Sequence, residues 1–361
     1  MNKSAVSYLL VFCLILASCS TSPGNPTAQS LPATTRPTST RTSQPTPTTQ
    51  PTSISTPLQT STATPLPTST AMPIPTHTGS GGGVIAYCYQ PMTGSSVHQI
   101  YAINLDGSDN RKLIEAVIGL NHHDWSPDGQ KIAAVGYVNQ STWSIYVFGL
   151  ESEVLTRLTD TSGVMDSEPN WSPDGSRLVF TRMYSDQDSH EEIWIMNADG
   201  SDQHWIGVQG FAAKWSPDGG RFIYSSNRSG NYEIYISNID GTDEQQLTRS
   251  SADETFPTWS PDGSQIAYSA STGEWNTREN TKTYEIFVMD ANGSNVRQLT
   301  NNTSYDGNPR WSSGGSLITF GSDRDEIGHW EVYVIDADGS NVRRVTTTLS
   351  EATAINPVWR P

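Results

Sequence analysis

Residues 215–248 read WSPDGGRFIYSSNRSGNYEIYISNIDGTDEQQLT, and this stretch decides the fold. A strand ends at Trp215. Ser216-Pro217-Asp218-Gly219 then makes a tight turn, because Pro fixes φ and Gly accepts a positive φ. Arg221-Phe222-Ile223-Tyr224 and Glu233-Ile234-Tyr235-Ile236 are short alternating runs rich in β-branched and aromatic residues, which reads as two more strands. Asp240-Gly241 is a hairpin turn, and a fourth strand runs to Leu247-Thr248.

Moving outward in both directions, the unit repeats. Trp-Ser-Pro-Asp-Gly stands at Trp125, Trp171, Trp215 and Trp259, a worn copy at Trp311-Ser312-Ser313-Gly314-Gly315, and the chain stops at Trp359-Arg360-Pro361. The third strand recurs as Glu192-Ile193-Trp194-Ile195, Glu285-Ile286-Phe287-Val288 and Glu331-Val332-Tyr333-Val334. The hairpin turn recurs as Asp106-Gly107, Asp199-Gly200, Asn292-Gly293 and Asp338-Gly339, and the fourth strand ends at Leu299-Thr300 and Val345-Thr346. Only Glu151-Ser152-Glu153 departs from that turn. Spacings of 46, 44, 44, 52 and 48 residues between tryptophans match one four-stranded propeller blade per copy. The segment from Val84 to Leu113 lacks a first strand, and Asn356-Pro357-Val358-Trp359 supplies one. The expectation is an all-β, six-bladed β-propeller with four antiparallel strands per blade, its terminal segments sharing one blade so that no sheet edge is left open.

With Asp323-Arg324 and Asp336-Ala337-Asp338-Gly339-Ser340-Asn341, the motif resembles the PD40 repeats of the TolB-like propeller family over about residues 84–361. The resemblance implies a propeller without the α/β domain that precedes it in TolB. Similar repeats form the non-catalytic gate of prolyl-oligopeptidase-like enzymes, whose hydrolase needs a Gly-x-Ser-x-Gly elbow that this sequence lacks.

The N-terminus reads as an export signal. Lys3 precedes an apolar run from Ala5 to Leu16, too short for a mature transmembrane helix. Leu16-Ala17-Ser18-Cys19 resembles the bacterial lipobox, which implies cleavage after Ser18 and lipidation of Cys19. Residues 20–83 hold 12 prolines and 29 Ser/Thr with no acidic residue, the composition of a disordered, partly polyproline-II stalk. The expected division is 1–18 signal peptide, 19–83 lipid-anchored stalk and 84–361 propeller, exported to the outer side of the membrane or the cell envelope. After Gly83 come 18 Lys/Arg and 37 Asp/Glu, a net charge of −19. Nucleic acid and anionic lipid are therefore poor partners. Cys88 alone remains in the propeller, aligned with Thr181, Ser225, Ser269 and Gly321, and reads as a buried structural thiol.

Because strands in a blade alternate in direction, the regular turns share one face and the irregular connections the other. Those connections are 90–98, 137–143, 182–191, 226–232, 270–283 and 321–330, and diverse loops on a rigid scaffold are where binding sites collect. Just before each Trp stand His122, Asp166, Glu168, Glu254, Asp306, Asn308 and Asn356, expected to ring the channel mouth and give it a negative potential. Trp143, Tyr232, Tyr284 and Trp330 share one register at the start of strand three, and Trp275 sits in the longest insertion. These aromatics read either as ligand contacts or as packing between blades. Asp336-x-Asp338-Gly339 has the look of a calcium loop, but it recurs at one turn per blade and reads as a turn.

The resulting expectation is a monomeric, non-catalytic recognition propeller needing no cofactor and no metal. Its partner would be an envelope protein or peptide, or a cell-wall glycan, held at the acidic loop face. The alternative is a metal-assisted polysaccharide lyase or hydrolase. Five histidines lie on that face (His98, His122, His123, His190, His329), and oligogalacturonate lyases, which resemble TolB-like propellers, use a histidine-rich metal site.

Overall fold

The computed structural model describes residues 83–92, 97–116, 118–139, 142–184, 190–276, 281–348 and 352–361. Cys19, the export signal and the Ser/Thr/Pro segment lie outside the described residues. Within them all regular structure is β-strand, and no helix is long and apolar enough to cross a membrane.

The strands come in groups. The first group is β1 (Val84–Pro91), β2 (Gln99–Asn104) and β3 (Arg111–Ile114). The second is β4 (Gly119–Trp125), β5 (Lys131–Asn139), β6 (Thr142–Gly149) and β7 (Val154–Arg157). The third is β8 (Val164–Trp171), β9 (Arg177–Tyr184), β10 (Glu191–Asn197) and β11 (His204–Gln209). The fourth is β12 (Phe211–Trp215), β13 (Arg221–Ser226), β14 (Glu233–Asn238) and β15 (Gln245–Gln246). The fifth is β16 (Glu254–Trp259), β17 (Gln265–Asn276), β18 (Thr281–Asp290) and β19 (Arg297–Gln298). The sixth is β20 (Asp306–Trp311), β21 (Leu317–Ser322), β22 (Glu331–Asp336) and β23 (Arg343–Arg344), and β24 (Ala352–Trp359) follows. Each group is an antiparallel meander. A single parallel bridge, Trp143 to Met165, joins the second and third into one sheet. Strand β24 pairs with β1, giving the order β24-β1-β2-β3.

Alternation along each strand sends side chains to both neighbouring groups. On β13, Phe222 and Tyr224 pack against Val179 and Ile193 of the third group. Ile223 between them packs against Trp259 and Ile266 of the fifth. The pattern repeats along the chain, and Val332 and Val334 of β22 pack with Ile85 and Tyr87 of β1 and Trp359 of β24. Both faces of the inner and middle strands are thus buried, and successive positions there, as in Phe222-Ile223-Tyr224, are apolar rather than strictly alternating.

The recurring motifs each carry one structural duty. In the first turn, Asp218 Oδ1 accepts from Ser216 Oγ and from Gly220 N at 3.0 Å. Those bonds hold the Asp174 and Asp262 carboxyls of the equivalent turns down at about 2. Outermost strands β7, β15, β19 and β23 are short and stop before their Leu-Thr or Val-Thr pair. There the threonine side chain replaces the ladder. Thr248 Oγ1 accepts from Ile234 N at 2.9 Å and donates to Glu233 at 2.7 Å, and Thr346 does the same for Val332 and Glu331. The departing Glu151-Ser152-Glu153 segment still turns, with Glu153 at φ 55° donating to Gly149 O at 2.8 Å. One expected connection is mostly strand. Within 270–283, β17 and β18 continue as a ladder through Trp275–Lys282 and Asn276–Thr281.

Candidate functional site around the molecular axis

Every strand that ends in the repeated Trp carries one left-handed residue three positions earlier: His122, Glu168, Ala212, Phe256, Asn308 and Asn356, with φ of 33°, 53°, 54°, 54°, 56° and 53°. The ladder shifts there. Asn121 pairs with Val135 and His123 with Ala134, leaving His122 unopposed, and the same slip falls between Ser167 and Asn170 and between Thr255 and Thr258. An extra residue on one strand is a β-bulge, and it reverses the facing of everything beyond it.

That reversal splits the expected ring of mouth residues. His122, Glu168, Asn308 and Asn356 line a small axial cavity with Lys214 and Arg310. Asn308 donates to Asn356 at 2.5 Å and Asn356 to Asn121 at 2.8 Å, a chain of amides across the axis. Asp166, Glu254 and Asp306 stand two positions earlier in the chain than the left-handed residue of their strand and share the facing of the Trp, so they turn away from the axis. Asp166 is buried in a bidentate pair with Arg182 at 2.7 and 2.9 Å, and that guanidinium lies 4.2 Å from the Trp194 ring centroid. Asp306 holds Arg324 and Ser322, both at 2.6 Å. Glu254 accepts from Ser250 at 2.9 Å, and burial pushes its carboxyl up to about 7. The acids expected to give the mouth its negative field are therefore paired or protonation-prone.

The aromatics at the start of strand three pack against other rings, within their own group and, for Tyr284, across to the next. Tyr284 and Tyr305 have ring centroids 5.0 Å apart, and Trp330 meets Tyr305 edge-on at 4.7 Å. Tyr232 meets Phe211 edge-on at 5.3 Å, and Trp143 lies 6.4 Å from Tyr137. Trp275 is placed by its backbone opposite Lys282, and its side chain lies outside those described.

Of the histidines, His98, His122 and His123 are deeply set, and burial holds their imidazoles down at about 4, 3 and 4. His190 stacks on Tyr184 at 4.7 Å, and His329 Nε2 lies 3.0 Å from Thr348 Oγ1. Among the described residues no group of three His, Cys, Asp or Glu has the spacing to hold a metal ion. Cys88 is buried, and its thiol donates to Leu120 O of the next group at 3.4 Å. At the aligned position Thr181 accepts from Ala212 N at 3.1 Å and Ser269 from Asn308 N at 3.2 Å. In these two copies a small polar side chain ties the bulge to its neighbouring sheet.

Missing from the sequence reading were Asp124, Lys214 and Arg310, one position before the Trp. Each copy there reads Asp124, Asn170, Lys214, Thr258, Arg310 or Val358. Polar residues in five of six copies beside a buried Trp were the available signal. Lys214 is 6% exposed. Burial and the neighbouring Arg310 pull its ammonium down to about 7, while burial pushes Glu168 up to about 7 against the pull of both cations.

The family model described as PD40, TolB beta propeller domain, matches residues 69–276. The chain belongs to the PD40 family. The Tol-Pal system protein TolB of Alcanivorax borkumensis is 33% identical over 97 residues, which cover 27% of this chain and 22% of that protein. The uncharacterized peptidase YuxL of Bacillus subtilis is 25% identical over 166 residues, 46% of this chain and 23% of that one. The matches thus span under a quarter of either relative. Among solved structures, TolB from Acinetobacter baumannii superposes with a TM-score of 0.65 at 23% identity, covering 77% of this chain and 67% of that one. A chain of the nidogen/laminin complex gives 0.61 at 13% identity, covering 77% and 99%. Such likeness carries the fold of the PD40 domain and leaves its function to the site.

Proposed function

We propose that the PD40 domain, residues 84–361, is a six-bladed ring closed by β24. We propose further that it is an exported, non-catalytic recognition module, lipidated at Cys19 after removal of 1–18 and held off the membrane by the 19–83 stalk. Its partner is an envelope protein or peptide bound on the face of irregular connections. The observation that carries this reading is the β17–β18 arm. This ladder continues to Asn276, 13 residues past Gly263, and its partner Thr281, and β17 is the longest strand among the described residues. A paired ladder that carries Trp275 out from a rigid scaffold is a contact element at low entropic cost. The pairing of β24 with β1 and the packing of β22 against both support the closed ring. Since Asp166 and Asp306 are neutralised by arginines, recognition on this face rests on shape and aromatic contact more than on a negative mouth.

The test is capture from envelope extracts by the full chain and by a variant with residues 273–282 replaced by a two-residue turn. Loss of the captured partner at an unchanged melting temperature is the expected result. Equal capture by both would remove the arm from the interface.

A further inference from the structure

On the side of the repeated turns, the axis opens into a second cavity of about 230 Å³, walled by the tryptophans and prolines of the turns and floored by Asp124, Asn170, Lys214, Thr258 and Arg310. Lys214 and Arg310 also line the inner cavity beyond it, so these two cations stand between the compartments. The inner one, about 20 Å³, has room for roughly one water. The outer one accommodates a small organic group.

The floor is oddly furnished. Among the described residues Lys214, though nine-tenths buried, has no side-chain hydrogen bond and no ion pair. Arg310 donates only to its neighbour Pro309 O at 3.3 Å. A buried cation normally has a partner, since its desolvation is otherwise uncompensated. The acids nearby are committed elsewhere or set deeper. Asp124 accepts from Asn170 Nδ2 at 2.8 Å and Trp171 N at 3.0 Å. Glu168 lies in the inner cavity, reaching Thr181 at 3.5 Å with its other oxygen unbonded.

We propose that the outer cavity is a carboxylate-binding site, in which Arg310 and Lys214 share one monoanionic carboxyl group presented from the side of the repeated turns. An Arg fork beside a Lys point charge suits a planar carboxylate. Monoanions are favoured over dianions by the count of charges at the floor. Burial draws both Lys214 and Glu168 toward neutrality near pH 7, and Arg310 faces Asp124, so the floor has no surplus to balance a second negative charge. The domain's net charge of −19 does not oppose this, because surface charges beyond about 8 Å are screened at physiological salt whereas the buried pair is not. A small organic acid and a free peptide C-terminus share the chemistry. This site lies on the opposite side of the molecule from the β17–β18 arm and stands independently of the function proposed there.

Calorimetric titration of the full chain at constant ionic strength provides the test. The probes are acetate, a tetrapeptide with a free C-terminus and the same tetrapeptide amidated. Saturable binding of acetate or of the free peptide, at least tenfold weaker in both Lys214→Met and Arg310→Gln, is expected. Tighter binding of the free peptide than of acetate would identify a chain terminus as the source, and equal binding a small acid. Lys214→Arg, which keeps the charge, should retain binding and serves as the variant should the Met replacement not fold. No saturable binding by either carboxylate, equal binding of the amidated peptide, or binding undiminished in both charge-removing variants would overturn the proposal. Shortening the β17–β18 arm should leave the titration unchanged.

Discussion

Asp166 shows how a residue's neighbours set its role. In sequence it is an acid five positions before a Trp, a candidate for a negative mouth. In space it is a buried partner to Arg182. Asp166→Asn should therefore destabilise the fold by about 3–5 kcal/mol, because Arg182 is left charged and desolvated. Asp325→Asn, which breaks an exposed pair with Arg344, should cost under about 1 kcal/mol. Urea unfolding measures both, and similar costs would mean that Asp166 is solvated after all. Glu168 makes a prediction in pH. Its carboxyl titrates at about 7 in the fold against 4.5 in an open chain. Between those values the native state holds a proton the unfolded chain has lost, so its contribution falls as pH rises through that window. Lys214 and Arg310 face it, and Glu191 lies near enough to be raised by it. The buried His98, His122 and His123 act oppositely, their contribution fading as pH drops from 6.5 toward their lowered values. Glu168→Gln should remove only the first slope, so its urea midpoint should decline less than the wild type's from pH 5 to 7. A parallel decline would place the proton elsewhere.

At the scale of the element, β24 does more than its length suggests. It pairs with β1 from Ile85–Trp359 to Pro91–Ala352, its Trp359 indole donates to Arg310 O at 3.3 Å, and Arg360 stacks 5.4 Å from the Trp125 ring. One strand therefore touches the first, second and sixth groups. Deleting residues 356–361 should abolish most of the cooperativity of thermal unfolding, since it removes a paired strand and exposes the apolar faces of two sheets at once. A single sharp transition at the original temperature would rule out a closed ring. The bulge is the other element-scale device. It was hidden from the sequence because the six residues at that register (His, Glu, Ala, Phe, Asn, Asn) share no side-chain property, and none is glycine. Backbone strain of about 1–2 kcal/mol per residue is offset where a side chain satisfies the bulge amide, as Thr181 does for Ala212, Ser269 for Asn308 and Asn121 for His122.

At the scale of the whole molecule, the proposed lipid anchor at Cys19 makes its own prediction. With residues 19–83 acting as the proposed stalk, the PD40 domain should behave identically on or off the membrane. Cys19→Ala should leave the melting temperature of the domain unchanged while releasing it from membranes or leaving it unprocessed. A mature, cleaved Cys19→Ala protein that still fractionates with membranes would exclude the lipid anchor.

The sequence by itself determined the repeat, the strand count per repeat, the turns and the family. These follow from local chemistry: Pro and Gly fix turn geometry, and apolar alternation fixes strands, wherever the chain goes next. What the axis holds was decided only by the tertiary structure. A one-residue bulge in each inner strand turns Asp166, Glu254 and Asp306 inward between sheets and leaves His122, Glu168, Asn308 and Asn356 on the axis. Lys214 and Arg310, 96 residues apart in the chain, become neighbours because their strands occupy equivalent places around one centre. Facing depends on the cumulative count of paired residues across a ladder, and proximity depends on how the sheets are arranged around the axis. Neither quantity is written in any local window of the chain.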